Sequence, residues 1–280
     1  MREVNVEVIR DAVKELSIKA NYFLGSDVKD ALKKFRKEET WELAGDILDK
    51  IILNSEIADN EQMPMCQDTG MACVFLEIGQ NVHLIGGNLE EAINEGVRRG
   101  YEEGFLRKSV VGDPIRRVNT KDNTPAVIYY DIVPGDKIKI TLAPKGFGSE
   151  NMSKIGMLKP SDGLEGVKDF ILSVVRAAGP NPCPPMIIGV GIGGTFDKAA
   201  YLAKKALIRP INIRNKDEFY KDLEIELLEK VNKLGIGPQG FGGRTTALGL
   251  NIETYPTHIA GLPVAVNINC HATRHKEVII

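Results

Sequence analysis

The sequence predicts an α/β fold of mixed α+β character: a helical N-terminal region packed on a mixed β-sheet with surrounding helices. Two patterns predict it. The first sixty residues carry apolar side chains at three- and four-residue steps, the spacing of one helix face. From Met71 onward, short runs rich in Val, Ile and Tyr alternate with helical stretches, the signature of strands covered by helices. With 280 residues, 43% of them hydrophobic and 26% charged, the chain has the composition of a soluble globular protein and mass enough to bury a core. It reads as one domain, 1–280, divided into a helical region (1–60) and a mixed α/β core (61–280).

In chain order, Val6, Ile9, Ala12, Val13 and Leu16 define the first helix and Leu43, Ile47, Ile51 and Ile52 a later one. Ser26 stands where an N-cap would start a short helix between them. The opening is expected to be all helical. "MACVFLEI", "AVIYYDIV", "KIKITLA", "MIIGVG", "TALGLNI" and "PVAVNIN" read as strands. Residues 88–106, 163–178, 196–207 and 216–234 read as helices. "VPGD" at 133–136 has turn chemistry and suggests a hairpin. Glycine and proline gather at 144–148, 179–194 and 235–243, which read as loops of the kind that bind ligands.

Thirty-six basic residues against thirty-eight acidic ones leave a formal charge of −2, so no field gathers nucleic acid or anionic lipid. The expected partner is a small molecule or another protein. No apolar run approaches the roughly 20 residues of a membrane span, and the charged, alternating N-terminus does not read as a signal peptide, so none is expected. Four cysteines are too few for a secreted disulfide scaffold, which points to a reducing, cytoplasmic setting.

Those cysteines differ in setting. Cys73 lies inside the apolar run "MACVFLEI" and reads as a small core residue. Cys66 ("PMCQDTG"), Cys183 ("NPCPPM") and Cys270 ("NINCHAT") each stand at a strand–loop junction, where a thiol has little apolar surface to fill. The absence of any CxxC pair argues against a zinc knuckle or a thioredoxin-like site. Three gathered thiolates would suit an iron–sulfur cluster better than a structural zinc, which usually takes four protein ligands.

Taken together and in order, "PMCQDTG", "KGFGSENMS", "NPCPP", "GVGIGGTFDKAA", "GFGGRTTALGL" and "PTHIAGLPVAVNINCHATRH" resemble the class I, iron–sulfur-dependent fumarate hydratases. The whole chain is most similar to the separate alpha subunit of two-subunit fumarases and of L(+)-tartrate dehydratase. The resemblance implies a [4Fe-4S] cluster on Cys66, Cys183 and Cys270 with one open iron, and a hydro-lyase that hydrates fumarate to L-malate, or dehydrates L(+)-tartrate. It implies substrate contact by Gln67, proton transfer by Asp68 and a catalytic role for His258. Arg107 corresponds to a carboxylate-binding arginine. Gly146, Phe147 and Gly148 correspond to a backbone substrate loop, although Phe147 stands where glycine is more usual. In single-chain members a further domain completes the site. Because this chain ends at Ile280, the resemblance implies a separate beta subunit in an α2β2 assembly.

Elementary chemistry supports such roles. A dicarboxylate dianion needs guanidinium and N–H donors, and dehydration needs a base, anion stabilisation and an acceptor for the leaving hydroxide. Asp68 fits either a proton relay or a hydrogen bond to its own loop. His271 is placed to orient the loop of Cys270. "GVGIGG" has the form of a dinucleotide fingerprint but lacks the acidic residue about 20 positions on; its glycines are expected to set a helix N-terminus near an anion. Arg244 is a candidate carboxylate or interface contact. A non-catalytic iron–sulfur sensor would need a nucleic-acid surface, which the charge balance does not offer.

Overall fold

In the computed structural model, which describes residues 1–280, the chain runs β1 (Arg2–Asn5), α1 (Val6–Tyr22), α2 (Ser26–Glu38), α3 (Glu42–Glu61), β2 (Met71–Gly79), β3 (Val82–Ile85) and α4 (Leu89–Glu103). It continues through β4 (Val127–Val133), β5 (Ile138–Lys145), α5 (Phe147–Glu150), β6 (Lys154–Leu158) and α6 (Gly163–Ala178). The last part holds β7 (Met186–Gly193), α7 (Phe196–Ala206), α8 (Glu218–Asn232), β8 (Ala247–Tyr255), β9 (Leu262–Asn269) and β10 (Lys276–Ile279). The α/β class expected from the sequence is observed. Two compact units form, each from separated segments: Met1–Leu24, Ser55–Phe147 and Arg274–Ile280 in the first, Gly25–Asn54 and Gly148–Thr273 in the second.

The first unit is a mixed sheet in the order β10-β5-β2-β4, with β2 antiparallel to β5 and parallel to β4. Ala72, Val74 and Leu76 alternate along β2 on the face that joins Ile138, Ile140 and Leu142 of β5 in one core with α1 and α4. Asn5 caps α1 by accepting the Glu7 N–H at 2.9 Å, and Asn88 caps α4 through Glu91 at 3.0 Å. The expected hairpin at 133–136 does not form. Strand β2 lies between β4 and β5 and pairs with both, because its nearly continuous apolar run must be covered on two edges and two faces. The opening is not purely helical either. Residues Arg2–Asn5 pair in parallel with Val82–Ile85, and Val4 joins the core.

The second unit is a mixed sheet in the order β6-β9-β7-β8. Both faces are covered, so every residue of β7 is buried. Met186, Ile188, Val190 and Ile192 point to α6 and α8. On the opposite face Gly189 and Gly191 meet α7: a Cβ at Gly191 would fall 2.1 Å from the Ala199 carbonyl oxygen, and one at Gly189 2.2 Å from that of Ala203. The glycines of "GVGIGG" therefore let a helix backbone lie directly on the strand, with Ala199, Ala203 and Ala265 closing the contact. Residues 186–193 are thus strand, and only the first half of the glycine- and proline-rich stretch at 179–194 is loop; the stretch at 144–148 is not a loop either, since Pro144 and Lys145 end β5 and Phe147 starts α5 with only Gly146 between them. Gly25, not Ser26, occupies the N-cap of α2, and Ser26 is its first helical residue. In α3 the core contact is carried by Ala44, Leu48 and Ile51, while Leu43 is 45% exposed.

Candidate active site

In the first unit the candidate motif is the loop "CQDTG", residues 66–70, between α3 and β2. Its outer side presents a half-buried Cys66 and an exposed Gln67; Thr69 and Gly70 are buried. Gly70 has φ +72, and a Cβ there would lie 2.7 Å from the Lys145 backbone, so the loop closes against the end of β5 only with glycine at this position. Asp68 accepts the N–H of Gly70 at 3.1 Å through one carboxylate oxygen and that of Phe147 at 3.0 Å through the other. Of the loop expected to offer N–H groups to substrate, Phe147 has therefore committed its own to Asp68. Gly148 is exposed, and Gly146 lies beneath the Asp68 carboxylate. The Lys145 ammonium, buried at the end of β5, donates to the Gly146 carbonyl at 3.4 Å. Arg107 is tied in by its backbone: its carbonyl accepts the Thr69 hydroxyl at 2.9 Å while its side chain is exposed.

In the second unit Cys183 and Cys270 are brought into one network. Cys183 is exposed, with φ +54, a left-handed backbone that costs a non-glycine residue roughly 1 kcal/mol or more. Its carbonyl accepts the His271 backbone N–H at 3.3 Å and lies 3.0 Å from His271 Nδ1. Gln239 completes the tie, donating from its backbone (2.8 Å) and its Nε2 (2.9 Å) to the Pro184 carbonyl, with Nε2 also 3.1 Å from His271 Nδ1. Thr273 donates to the Cys270 carbonyl at 2.9 Å. His271, read from sequence as placed to orient the loop of Cys270, thus contacts the Cys183 carbonyl, whereas Gln239, in a loop notable only for glycine, carries no sequence signal for its contact.

His258 lies exposed in the loop after β8, where its Nδ1 accepts the Ala260 N–H at 3.2 Å. That bond places the proton of the neutral ring on Nε2, the outward nitrogen. Arg244 borders a different cleft of about 750 Å³, lined by Phe35, Glu38, Asn232, Lys233 and Thr245, which contains none of the other residues singled out from the sequence.

None of the four cysteines forms a disulfide, and Cys73 is buried in β2. No three His, Cys, Asp or Glu side chains gather as ligands of a single ion. Cys66, in the first unit, and Cys183 and Cys270, in the second, are each thiols with solvent access on a loop, and thiolates are the ligands that iron–sulfur clusters take.

A family model described as "Fumarate hydratase (Fumerase)" matches residues 10–279. A Methanocaldococcus jannaschii protein named "Putative L(+)-tartrate dehydratase subunit alpha" is 47% identical over 272 residues, 95% of either chain. The "L(+)-tartrate dehydratase subunit alpha" of Escherichia coli O157:H7 is 34% identical over 258 residues, 91% of this chain and 84% of that one. A protein of the same name from Shigella sonnei is 33% identical over the same shares. The chain is accordingly a hydro-lyase, an enzyme that breaks a carbon–oxygen bond by removing water or forms one by adding it. It belongs to the fumarate hydratase (Fumerase) family. None of its helices is long and apolar enough to cross a membrane.

Proposed function

We propose that this chain is the cluster-binding alpha subunit of a [4Fe-4S] hydro-lyase that hydrates fumarate reversibly to L-malate, working in the cytoplasm with a separate beta subunit as α2β2. Cys66, Cys183 and Cys270 are the ligands. A cluster held by three cysteines supplies Lewis acidity at the iron that no protein group ligates. The observation that carries the reading is the character of these three positions: accessible thiols on braced loops, in a chain of this family. The name "subunit alpha" borne by the relatives supports the beta partner.

The chain's own residues divide the remaining work. Arg107 pairs its exposed guanidinium with a substrate carboxylate, and the Gln67 amide orients a substrate oxygen. Asp68 moves a proton, held in place by its two N–H donors. His258 donates from Nε2. Gly146 and Gly148 line the substrate loop, where Phe147 acts by fixing Asp68.

The relatives' names favour a second reading, in which the same residues serve dehydration of L(+)-tartrate. One experiment tests both. The chain is co-expressed with its beta subunit, reconstituted anaerobically with iron and sulfide, and assayed on fumarate, L-malate, mesaconate and L-tartrate. The expected result is a brown protein turning over fumarate and L-malate. Turnover of L-tartrate alone selects the second reading, and a colourless protein that retains no iron refutes the cluster.

A further inference from the structure

Three consecutive carbonyls of the "CQDTG" loop are each bonded by a side chain from a distant part of the first unit. The Arg274 guanidinium donates to the Asp68 carbonyl. The Tyr101 hydroxyl, on α4, donates to that of Thr69 at 2.7 Å and lies 3.1 Å from that of Gly70. Asn123 Nδ2 donates to the Gly70 carbonyl at 3.1 Å. All three side chains are buried: Tyr101 and Asn123 are 0% exposed and Arg274 is 4% exposed. Asn123 holds this place at φ +64, a strained backbone for a non-glycine residue, and its Oδ1 accepts the N–H groups of Ser109 and Val110 at 2.7 and 3.3 Å.

We propose that Tyr101, Asn123 and Arg274 are positioning residues that fix the inner side of the loop so that its outer side holds Cys66 and Gln67 in one orientation. A segment outside helix and sheet must satisfy its backbone some other way. Here three successive carbonyls do so through buried side chains, a costly arrangement for a mere connection and a useful one where sub-ångström placement matters. The bracing extends to substrate binding, since Thr69, whose carbonyl Tyr101 holds, in turn holds the Arg107 carbonyl. Burial pushes the Tyr101 phenol up, so it remains a donor through the alkaline range.

The inference rests on the role proposed for Cys66, and the test separates the two. In the full-length chain before reconstitution, each cysteine's rate of alkylation by limiting iodoacetamide is followed by mass spectrometry in wild type, Tyr101→Phe, Asn123→Gly, Arg274→Lys and the control Ile93→Val. Ile93 is a fully buried core residue of the same unit whose apolar side chain has no hydrogen bond to give the loop's carbonyls. Loss of one buried hydrogen bond shifts a local opening equilibrium roughly five- to thirtyfold. The three brace variants should speed Cys66 modification by that factor, with Cys183 and Cys270 unchanged and the control at the wild-type rate. Equal acceleration of all three cysteines, or of Cys66 in the control, overturns the proposal. Should Tyr101→Phe fail to fold, Asn123→Gly tests the same point, because glycine accepts the left-handed backbone. Iron and sulfide uptake by the wild-type chain decides the cluster reading on its own, whatever the alkylation rates show.

Discussion

The carboxylate of Asp68 accepts the backbone N–H of Phe147 at 3.0 Å, so the segment two residues after Cys66 and the start of α5 are fastened by one side chain. A carboxylate used only as a clip can be replaced by an amide at the cost of about one hydrogen bond, roughly 1 kcal/mol. A carboxylate that moves a proton cannot. Asp68→Asn is therefore expected to lower kcat by about 10²- to 10⁴-fold while the thermal midpoint moves by a few degrees. Steady-state kinetics of the reconstituted complex and a melting curve give the two numbers. A kcat within twofold of wild type would reduce Asp68 to the clip.

Fastening of a different kind governs the pair Cys183 and His271. The Cys183 carbonyl accepts the His271 backbone N–H at 3.3 Å and lies 3.0 Å from its ring Nδ1, so the loops of two proposed ligands are one structure. Residues that orient metal ligands typically contribute 10- to 100-fold in affinity. His271→Ala is expected to retain iron that much more weakly after reconstitution, read by chelator competition, with the secondary structure seen by circular dichroism unchanged.

These contacts mark where sequence reasoning reached and where it stopped. Helices α4, α6, α7 and α8 were legible because each has a strong apolar face over three turns or more. The strands β2, β4, β5, β7, β8 and β9 were legible from their β-branched runs. The short strands β1, β3, β6 and β10 were not, since four or five residues with mixed burial carry too little pattern. The "VPGD" turn was recognisable, but a turn specifies only its own geometry, and the insertion of β2 between β4 and β5 is a long-range choice. In the candidate site, Cys66, Cys183, Cys270, Gln67, Asp68, Arg107 and His258 stood out through the motifs that carry the family resemblance. Tyr101, Asn123, Gln239 and Arg274 did not, because each acts through a backbone carbonyl remote in sequence, and a carbonyl has no residue identity to read.

Acid exposes the bracing loop to a specific titration. Burial opposes ionisation of Asp122, but hydrogen bonds from the Thr124 backbone and hydroxyl, from Arg98 and from Thr120 outweigh it and bring the pKa to about 2, below its usual 3.8. A depressed carboxylate stabilises the fold fully above its unfolded pKa and loses that contribution as pH falls through the folded value. The window is therefore pH 3.8 down to about 2, and the contribution at most about 2.5 kcal/mol. The stability gap between wild type and Asp122→Asn should shrink by up to that amount between pH 5 and pH 2, measured by urea denaturation. A constant gap would show that the carboxylate's charge adds nothing.

The β7–α7 contact predicts a severe effect from one methyl group. A Cβ at Gly191 would lie 2.1 Å from the Ala199 carbonyl oxygen, and backbone on both sides leaves no flexible side chain to yield. Helix α7 must lift from the strand, with an expected loss of about 2–3 kcal/mol or more in Gly191→Ala. Denaturant titration of the full chain checks it, and a loss below about 0.5 kcal/mol would contradict the packing.

Arg107 offers the cleanest separation of binding from chemistry. Its side chain is exposed, while its backbone is held by Thr69, so substitution changes the charged head without disturbing the loop. A guanidinium grips a carboxylate through two parallel N–H bonds, and an ammonium keeps the charge but loses that fork. If Arg107 binds substrate and its transition state alike, Arg107→Lys raises KM with kcat little changed; about one charge-assisted hydrogen bond, roughly 1.5–3 kcal/mol, corresponds to about a 10- to 100-fold rise. Arg107→Ala should raise it further, with the same melting temperature as wild type. A variant in which kcat falls and KM does not would instead make the arginine a transition-state contact, and unchanged values of both would remove it from the site.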